Sequence, residues 1–220
     1  MEVIIQPLLL QRFPGLRVLL RRINGLQVER ENSQLQRFRD NVVEEIKRKY
    51  QLATVKDEPI FRAYRDFFWR AGIDPTKTRP AAEALIRRIL SGKPLPTINT
   101  LVDAYNLASI QTGVALGAFD ARKLKGDLTL RLAKSGEKFL GIGMSEPILL
   151  KGVELVVSDE EKPIAIYPYR DAEDTKVTME TTDLCLLVCG APGIGAEHLE
   201  WAAGVAVDYI TRFCGGREVG

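Results

Sequence analysis

The chain has the length, composition and charge of a globular protein. Its 220 residues, 45% of them hydrophobic, are enough to build a core in one large domain or two small ones. The longest apolar runs fall far short of the roughly 20 residues that a membrane span needs, and the N-terminus lacks the pattern of a leader peptide. These features exclude a helical membrane protein and predict a cytoplasmic one.

The formal net charge of +2 is unevenly distributed along the chain. Residues 1–95 carry 19 Lys and Arg against 11 Asp and Glu, whereas residues 96–220 carry 12 against 18. The basic part would suit a phosphate backbone, although chance clustering on solvated helix faces explains it equally well. We expect residues 1–95 to form a hairpin and a basic helical portion, packed on a β-rich portion of residues 96–220 in one compact domain.

The first predicted elements are a short strand at Val3–Ile5 and a β-hairpin within Gly15–Glu29. The dipeptide Asn24-Gly25 tolerates the positive φ of a two-residue turn, and apolar residues flank it on both sides. Ser33 and Gln36 then have the spacing of a capping box, and helical periodicity continues to about Tyr50.

Two further helices are predicted, one from Asp57–Pro59 to Gly72 and one over Ala81–Leu90. The first mixes aromatic residues with Arg62 and Arg65. This combination can stack bases and hold phosphates, but aromatic residues at helical spacing more often form a buried face. The loop between the helices, residues 72–80, offers either an anion site at a helix N-terminus or a tight connection that Thr78 caps.

Residues 98–126 combine more polar side chains with apolar neighbours than any other segment of the chain. Asn99, Asp103 and Asn106 are spaced by four and three residues, which places them on one face of a helix, and Ser109, Thr112 and Asp120 follow. Asp120 has a capping alternative, since it precedes a turn at residues 121–125.

Strand-like alternation and a final helix complete the chain. Strands are predicted at Asp127–Ala133, Phe139–Ile142, Val153–Ser158, Pro163–Tyr169 and Leu184–Cys189, and a helix at Gly195–Phe213. The order of elements predicts an α+β fold with a mixed β-sheet core, N-terminal helices and a closing C-terminal helix.

A second polar cluster, Arg170–Thr178, follows a predicted strand. Two polar clusters beside an apolar sheet predict a pocket for a small polar group, although capping and turn roles explain each cluster alone. The three cysteines and the single His198 lack the spacing of a zinc site, and neither a phosphate loop nor a hydrolytic triad is present. We expect no metal and no cofactor.

Several motifs in order resemble one known protein family. The run VDAYNLASIQTGVALGAFDARKLKG is similar to the third and fourth domains of the phenylalanyl-tRNA synthetase beta subunit, the module that removes wrongly attached amino acids from tRNA. FRAYRDFFWRAGIDPTKTRP, LPTINTLVDAYN and YPYRDAEDTKVT resemble the free-standing proteins built around that module. The likeness covers roughly residues 50–190.

The resemblance implies a tRNA-binding protein, without a DNA or membrane partner, that hydrolyses misacylated tRNA in trans, with an aromatic-type amino acid as the substrate. The residues implied to hold the ammonium group or the attacking water are Asp103, Asn106 and Asp171. Those implied to contact the rest of the substrate are Asn99, Ser109, Gly117, Asp120, Arg170, Thr175 and Thr178. Those implied to hold the RNA backbone are Arg62, Arg65, Lys77, Arg79, Arg87, Arg88 and Lys176.

The sequence departs from the synthetase module at two positions. Gly117 stands where the bacterial module has a pocket histidine, and Leu186-Leu187 stand where a pocket glutamate is expected. These departures support an alternative, a module that binds tRNA, another RNA or an amino acid without turnover.

Overall fold

The structure is a computed structural model that describes residues 2–219. Its helices are α1 (Pro7–Arg12), α2 (Ser33–Lys49), α3 (Pro59–Arg70), α4 (Ala81–Leu90), α5 (Thr100–Thr112) and α6 (Ala196–Cys214). Its strands are β1 (Val3–Ile5), β2 (Val18–Leu26), β3 (Ala115–Asp120), β4 (Leu128–Leu132), β5 (Lys138–Phe139), β6 (Ile148–Leu149), β7 (Leu155–Ser158), β8 (Pro163–Ile166), β9 (Arg170–Asp171), β10 (Asp183–Cys189) and β11 (Gly215–Val219). The predicted α+β class is confirmed.

A four-stranded antiparallel sheet, ordered β11-β2-β10-β3, forms the centre of the molecule. Residues 184–189 of β10 are all buried, which explains why this strand is a continuous apolar run in the sequence. From Leu184 to Leu187 its side chains alternate between two hydrophobic clusters. Cys185 and Leu187 belong to one cluster, and Leu184 and Leu186 belong to the other, so the sheet is covered on both faces.

A five-stranded sheet, ordered β1-β4-β7-β8-β9, covers one face of the central sheet. Only the β1–β4 pairing is parallel. The core between the sheets contains Leu128 and Leu130 of β4, Val157 of β7 and the α3 residues Tyr64 and Phe67. The Tyr64 hydroxyl donates a hydrogen bond to the Cys189 carbonyl and accepts one from Ala115 N–H, so α3 is fixed directly to β10 and β3.

Helices α2, α4, α5 and α6 cover the other face and share the second cluster. Helix α5 lies innermost, because ten of its thirteen residues are buried. Six of those ten residues are apolar, and the four polar ones, Thr100, Asp103, Ser109 and Thr112, have hydrogen-bond partners. Among residues 2–219, no helix is long and apolar enough to cross a membrane.

The predicted hairpin at Gly15–Glu29 is wrong. Residues 18–26 form one strand, and Asn24 lies within it, paired with Asp183 on one side and Arg217 on the other. Gly25 does adopt a positive φ of 78°, but the chain continues along the sheet instead of turning back. Two long-range strand partners therefore outweigh the local turn preference of Asn24-Gly25.

The N-terminal cap of α2 is also corrected. Asn32, not Ser33, caps the helix: its side-chain oxygen accepts hydrogen bonds of 3.0 Å from the N–H groups of Gln34 and Leu35. The helix itself ends at Lys49, close to the predicted end. Elements absent from the prediction are α1, β3, β6, β9 and β11.

Candidate functional site

A small cavity with one acidic side chain lies between the two main sheets. It has a volume of about 80 Å³, and its lining includes Gly117 of β3, Leu187 of β10 and Asp171 of β9. Gly117 and Leu187 are directly paired across the antiparallel β3–β10 ladder. Gly117 and Leu187, two of the residues at which we expect departures from the synthetase module, thus face one cavity, and the carboxyl group there comes from a different element.

The absence of a side chain at Gly117 makes room for the Asp171 carboxyl group. A Cβ atom at position 117 would lie 3.3 Å from Asp171 Oδ1 and 3.4 Å from the ring of Phe119. Asp171 Oδ2 accepts a hydrogen bond of 3.3 Å from the Ala118 N–H, which ties the carboxyl group to β3. The two sheets therefore meet at Asp171. We call the space lined by Asp171, Gly117 and Leu187 the Asp171 cavity.

Burial raises the pKa of Asp171 from 3.8 to about 7, although the hydrogen bond from Ala118 N–H favours the charged form. Removing a carboxylate from water disfavours its charged state, and one backbone donor compensates only in part. A carboxyl group with this pKa exchanges protons near neutral pH, as general acid–base catalysis requires. A shifted pKa in a cavity is a sign of a functional site, although structural groups can also show one.

The other two residues predicted to hold the ammonium group or water lie outside the Asp171 cavity. Asp103 and Asn106 line a narrow space next to Arg39 at the start of α5. Asp103 Oδ1 accepts a hydrogen bond of 3.0 Å from the Ile98 N–H, and burial raises its pKa while that bond and Arg39 oppose the shift. The structure therefore brings Gly117 and Asp171 together and places Asp103 and Asn106 elsewhere.

Tyr105 is a residue of this region that the sequence did not single out. Burial raises the pKa of its hydroxyl group, and the negative charges of Asp171 and Asp103 add to the shift. Tyr105 on α5 is thus within electrostatic reach of both carboxyl groups. Its spacing of two residues from Asp103 placed it on a neighbouring face of the predicted helix, which gave no reason to include it.

Four predicted substrate contacts have structural partners. The Asn99 side chain caps α5 by accepting a hydrogen bond of 2.9 Å from Val102 N–H, and the Ser109 hydroxyl donates one of 2.6 Å to the Val114 carbonyl. Asp120 accepts hydrogen bonds from Arg122 and Thr181, and Thr178 Oγ1 accepts one from Glu180 N–H. Although burial alone would raise the pKa of Asp120, the bonds from Arg122 and Thr181 hold it below its ordinary value.

Arg170 also has a hydrogen-bond partner, whereas the Thr175 hydroxyl group lacks one among residues 2–219. The exposed Arg170 donates a hydrogen bond of 3.0 Å to the Ile142 carbonyl and packs against Gly141. Thr175 is fully buried, and within residues 2–219 its hydroxyl oxygen has no hydrogen-bond partner. It does not line the Asp171 cavity.

Four of the predicted RNA contacts have close partners within the protein. Arg65 lies 3.1 Å from Oε1 of the fully buried Glu83, and Arg87 lies 3.8 Å from the same atom, so both neutralise a charge in the core. Lys176 pairs with Glu173, and Arg88 donates to the Pro94 carbonyl. The remaining side chains, of Arg62, Lys77 and Arg79, are exposed to solvent.

The described residues contain no group of three or more His, Cys, Asp or Glu side chains that could hold a metal ion. Cys185, Cys189 and Cys214 are buried thiols. Burial raises the pKa of Cys185 to about 12, so this thiol is not a nucleophile at neutral pH.

Comparison with known proteins identifies relatives with a similar amino-acid sequence. The beta subunit of phenylalanine–tRNA ligase from Protochlamydia amoebophila is 37% identical over 120 residues, which cover 54% of this chain and 15% of that subunit. The corresponding subunit from Symbiobacterium thermophilum is 33% identical over 90 residues, 40% of this chain and 10% of that protein. The chain thus spans only a small part of these relatives.

A solved structure shares the fold. An N-terminal fragment of the phenylalanyl-tRNA synthetase beta subunit from Pyrococcus horikoshii matches 99% of this chain and 50% of its own, with a TM-score of 0.53 and 17% identity. The resemblance predicted from the sequence motifs is confirmed by these matches. Residues 63–215 match the family model described as the B3/4 domain, and the chain therefore belongs to the B3/4 domain family.

Proposed function

We propose that this protein binds aminoacyl-tRNA and hydrolyses the ester of a wrongly attached amino acid in trans. The observation that carries the proposal is the Asp171 carboxyl group, which lies in the cavity formed by Gly117 and Leu187 and has a pKa of about 7. The relatives named as phenylalanine–tRNA ligase beta subunits give the reason to consider aminoacyl-tRNA as the substrate.

The proposed reaction needs no covalent intermediate. Asp171 accepts a proton from water, the water oxygen attacks the ester carbonyl carbon, and the bond from that carbon to the ribose oxygen breaks. The proton then passes to the ribose oxygen, which leaves a free amino acid and a tRNA with a free 3′ hydroxyl group. An aminoacyl ester is already activated, so positioning and a general base supply the catalysis.

Asp171 has a second role open to it, because a carboxylate can also hold the α-ammonium group of the amino acid. Loss of a general base lowers kcat, whereas loss of an ammonium partner used equally in the ground and transition states raises KM. Kinetics of Asp171→Asn therefore separate the two roles.

The cavity volume bears on the choice of amino acid. About 80 Å³ is well below the roughly 300–1,000 Å³ of ordinary ligand pockets, so it has room for an ammonium group with a water or a small side chain. The resemblance implies an aromatic amino acid as the substrate. We propose that its side chain would lie outside this cavity. A panel of tRNAs charged with tyrosine, phenylalanine and alanine tests this choice.

The test is a deacylation assay with that panel. We expect the wild-type protein to release at least one amino acid, and we expect Asp171→Asn to lower the rate by about 10²–10⁴-fold. Asp103→Asn and Asn106→Ala are the matched controls from the predicted set, and we expect them to remain within a few-fold of wild type. Intact substrates across the panel would overturn the proposal.

A second candidate function is a binding module without turnover. The observation that favours it is that Gly117 and Leu187, where the resemblance leads us to expect a pocket histidine and a pocket glutamate, both face the Asp171 cavity. Such a module would bind charged and uncharged tRNA with a strong salt dependence and release no amino acid. The exposed side chains of Arg62, Lys77 and Arg79 are its candidate RNA contacts.

A further inference from the structure

A larger groove opens beside the Asp171 cavity. It lies between the α3–α4 connection and β7, and its volume of about 500 Å³ is within the range of ligand pockets. Ile166 and Tyr169 line both the groove and the Asp171 cavity, so the two spaces are neighbours that share one wall. We call it the Tyr169 groove.

Three cationic side chains, Arg12, Lys77 and Lys151, line the Tyr169 groove. The Lys77 side chain is 85% exposed and only loosely associated with Asp74, at 3.9 Å. The two acidic side chains of the groove already have local partners: Asp74 accepts hydrogen bonds from Thr76, and Glu154 accepts them from the N–H groups of residues 151–153. With three cationic side chains against two carboxylates, the groove has an excess of positive charge for an anionic ligand.

The Tyr169 groove also has apolar surface suited to a flat ring. Tyr169 is partly exposed, and its ring packs against Phe68 with a centroid distance of 6.3 Å, which supports it from behind. Val153 is 59% exposed along the same groove. Aromatic side chains beside cationic groups are the usual means by which proteins hold a nucleobase and its phosphate.

We propose that the Tyr169 groove binds the terminal nucleotide of tRNA, with its base against Tyr169 and Val153 and its phosphate near Lys77 and Lys151. The ribose then lies at the wall formed by Ile166 and Tyr169, from which its ester reaches Asp171. This inference rests on the proposed function, since it assigns the nucleotide part of the same substrate. It gives Tyr169 and Lys151 roles that the sequence did not predict.

Binding of a short single-stranded RNA that ends in cytidine, cytidine and adenosine tests the groove without any hydrolysis. With a fluorophore at the 5′ end, anisotropy gives the affinity. We expect Tyr169→Leu to weaken binding by about 5- to 100-fold, and Tyr169→Phe to keep it, because the ring supplies the stacking. Each of Lys77→Ala and Lys151→Ala should reduce the slope of log K against log salt by about 0.7.

Lys93→Ala is the matched control. Lys93 lines a different cationic groove of about 400 Å³, together with Arg39 and Lys47, which is the competing place for RNA. The proposal predicts that Lys93→Ala leaves the affinity unchanged. It is overturned if Lys93→Ala weakens binding while the Lys77 and Lys151 variants do not, or if the wild-type protein does not bind the RNA.

Two further arms complete the test. Adenosine 5′-monophosphate should compete with the RNA at higher concentration, and RNA lacking its terminal adenosine should bind more weakly; equal affinity for both RNAs would overturn the assignment of the groove to the terminal nucleotide. Because Asp171→Asn should leave RNA affinity intact, failure of the hydrolase proposal would appear as RNA binding without amino acid release. Failure of the groove proposal would appear as release that the Tyr169 and Lys77 variants leave unchanged.

Discussion

The Asp171 carboxyl group binds its proton more tightly in the folded protein than in the unfolded chain. Its folded pKa is about 7 against an ordinary 3.8, so the folded state holds more protons between these values. The free energy of unfolding must therefore fall as the pH rises from about 4 to about 7. The destabilisation is fully present above pH 7 and absent well below pH 4.

Replacement of Asp171 by Asn removes this pH-dependent cost. Since Asn cannot ionise, we expect Asp171→Asn to gain about 2 kcal/mol on wild type between pH 4 and pH 8, allowing for the partial exposure of the side chain. Urea unfolding at both pH values measures the difference. If the difference in the free energy of unfolding between the two proteins is the same at pH 4 and at pH 8, the pKa of Asp171 is not raised by folding.

Arg65 illustrates how a basic residue predicted to contact RNA can serve the core instead. Its guanidinium group lies 3.1 Å from the fully buried Glu83, so Arg65→Ala leaves a buried carboxylate with only the more distant Arg87. We expect Arg65→Ala to lower the free energy of unfolding by about 2–3 kcal/mol. The exposed Arg62 on the same helix is the control, and Arg62→Ala should change stability by less than about 0.5 kcal/mol. Equal free energies of unfolding for Arg65→Ala and Arg62→Ala would contradict a structural role for Arg65.

Among the secondary-structure elements, α2 offers a direct test of a corrected boundary. Asn32 accepts hydrogen bonds from two N–H groups at the start of this helix, whereas the sequence favoured a capping box that begins at Ser33. We expect Asn32→Ala to cost about 1 kcal/mol in thermal or urea unfolding, and Ser33→Ala to cost little. A larger loss of stability for Ser33→Ala than for Asn32→Ala would support the capping box that begins at Ser33.

The elements that the sequence predicts well are those with a strong local period. Helices α3, α4 and α6 follow from apolar spacing and from Pro or Gly at their ends, and β10 follows from a continuous apolar run. Strands β2 and β11 depend on partners far along the chain. In β2 the turn signal of Asn24-Gly25 is misleading, and β11 begins with two glycines that read as the end of a helix.

At the scale of the whole molecule, the N-terminal part supplies strands to both main sheets. β1 pairs with β4, and β2 lies between β10 and β11. A fragment of residues 96–220 would lose these partners and the helices that cover α5, leaving the apolar β10 unpaired on one edge. We expect this fragment to lack a cooperative thermal transition in circular dichroism, with the full chain as the control. A folded, monomeric fragment would contradict this expectation.

The site could be predicted from the sequence only in part, because it depends on how the sheets and helices pack. The motif likeness identified the family and the positions of Gly117 and Asp171, which the two sheets bring together. It also grouped Asp103 with Asp171, although α5 places Asp103 at a separate space beside Arg39. Which polar residues share a cavity depends on how the sheets and helices pack, and residue spacing along one chain does not contain that information.

The role of Asp171 in activating water is tested by the initial rate at which amino acid is released from misacylated tRNA by the wild-type protein and by Asp171→Asn. We predict measurable release by the wild type, a rate that increases through pH 7 as Asp171 loses its proton, and a loss of about 10²–10⁴-fold in the variant. Equal rates for the two proteins, or no release by the wild type, would contradict the assignment of Asp171 as the residue that activates water.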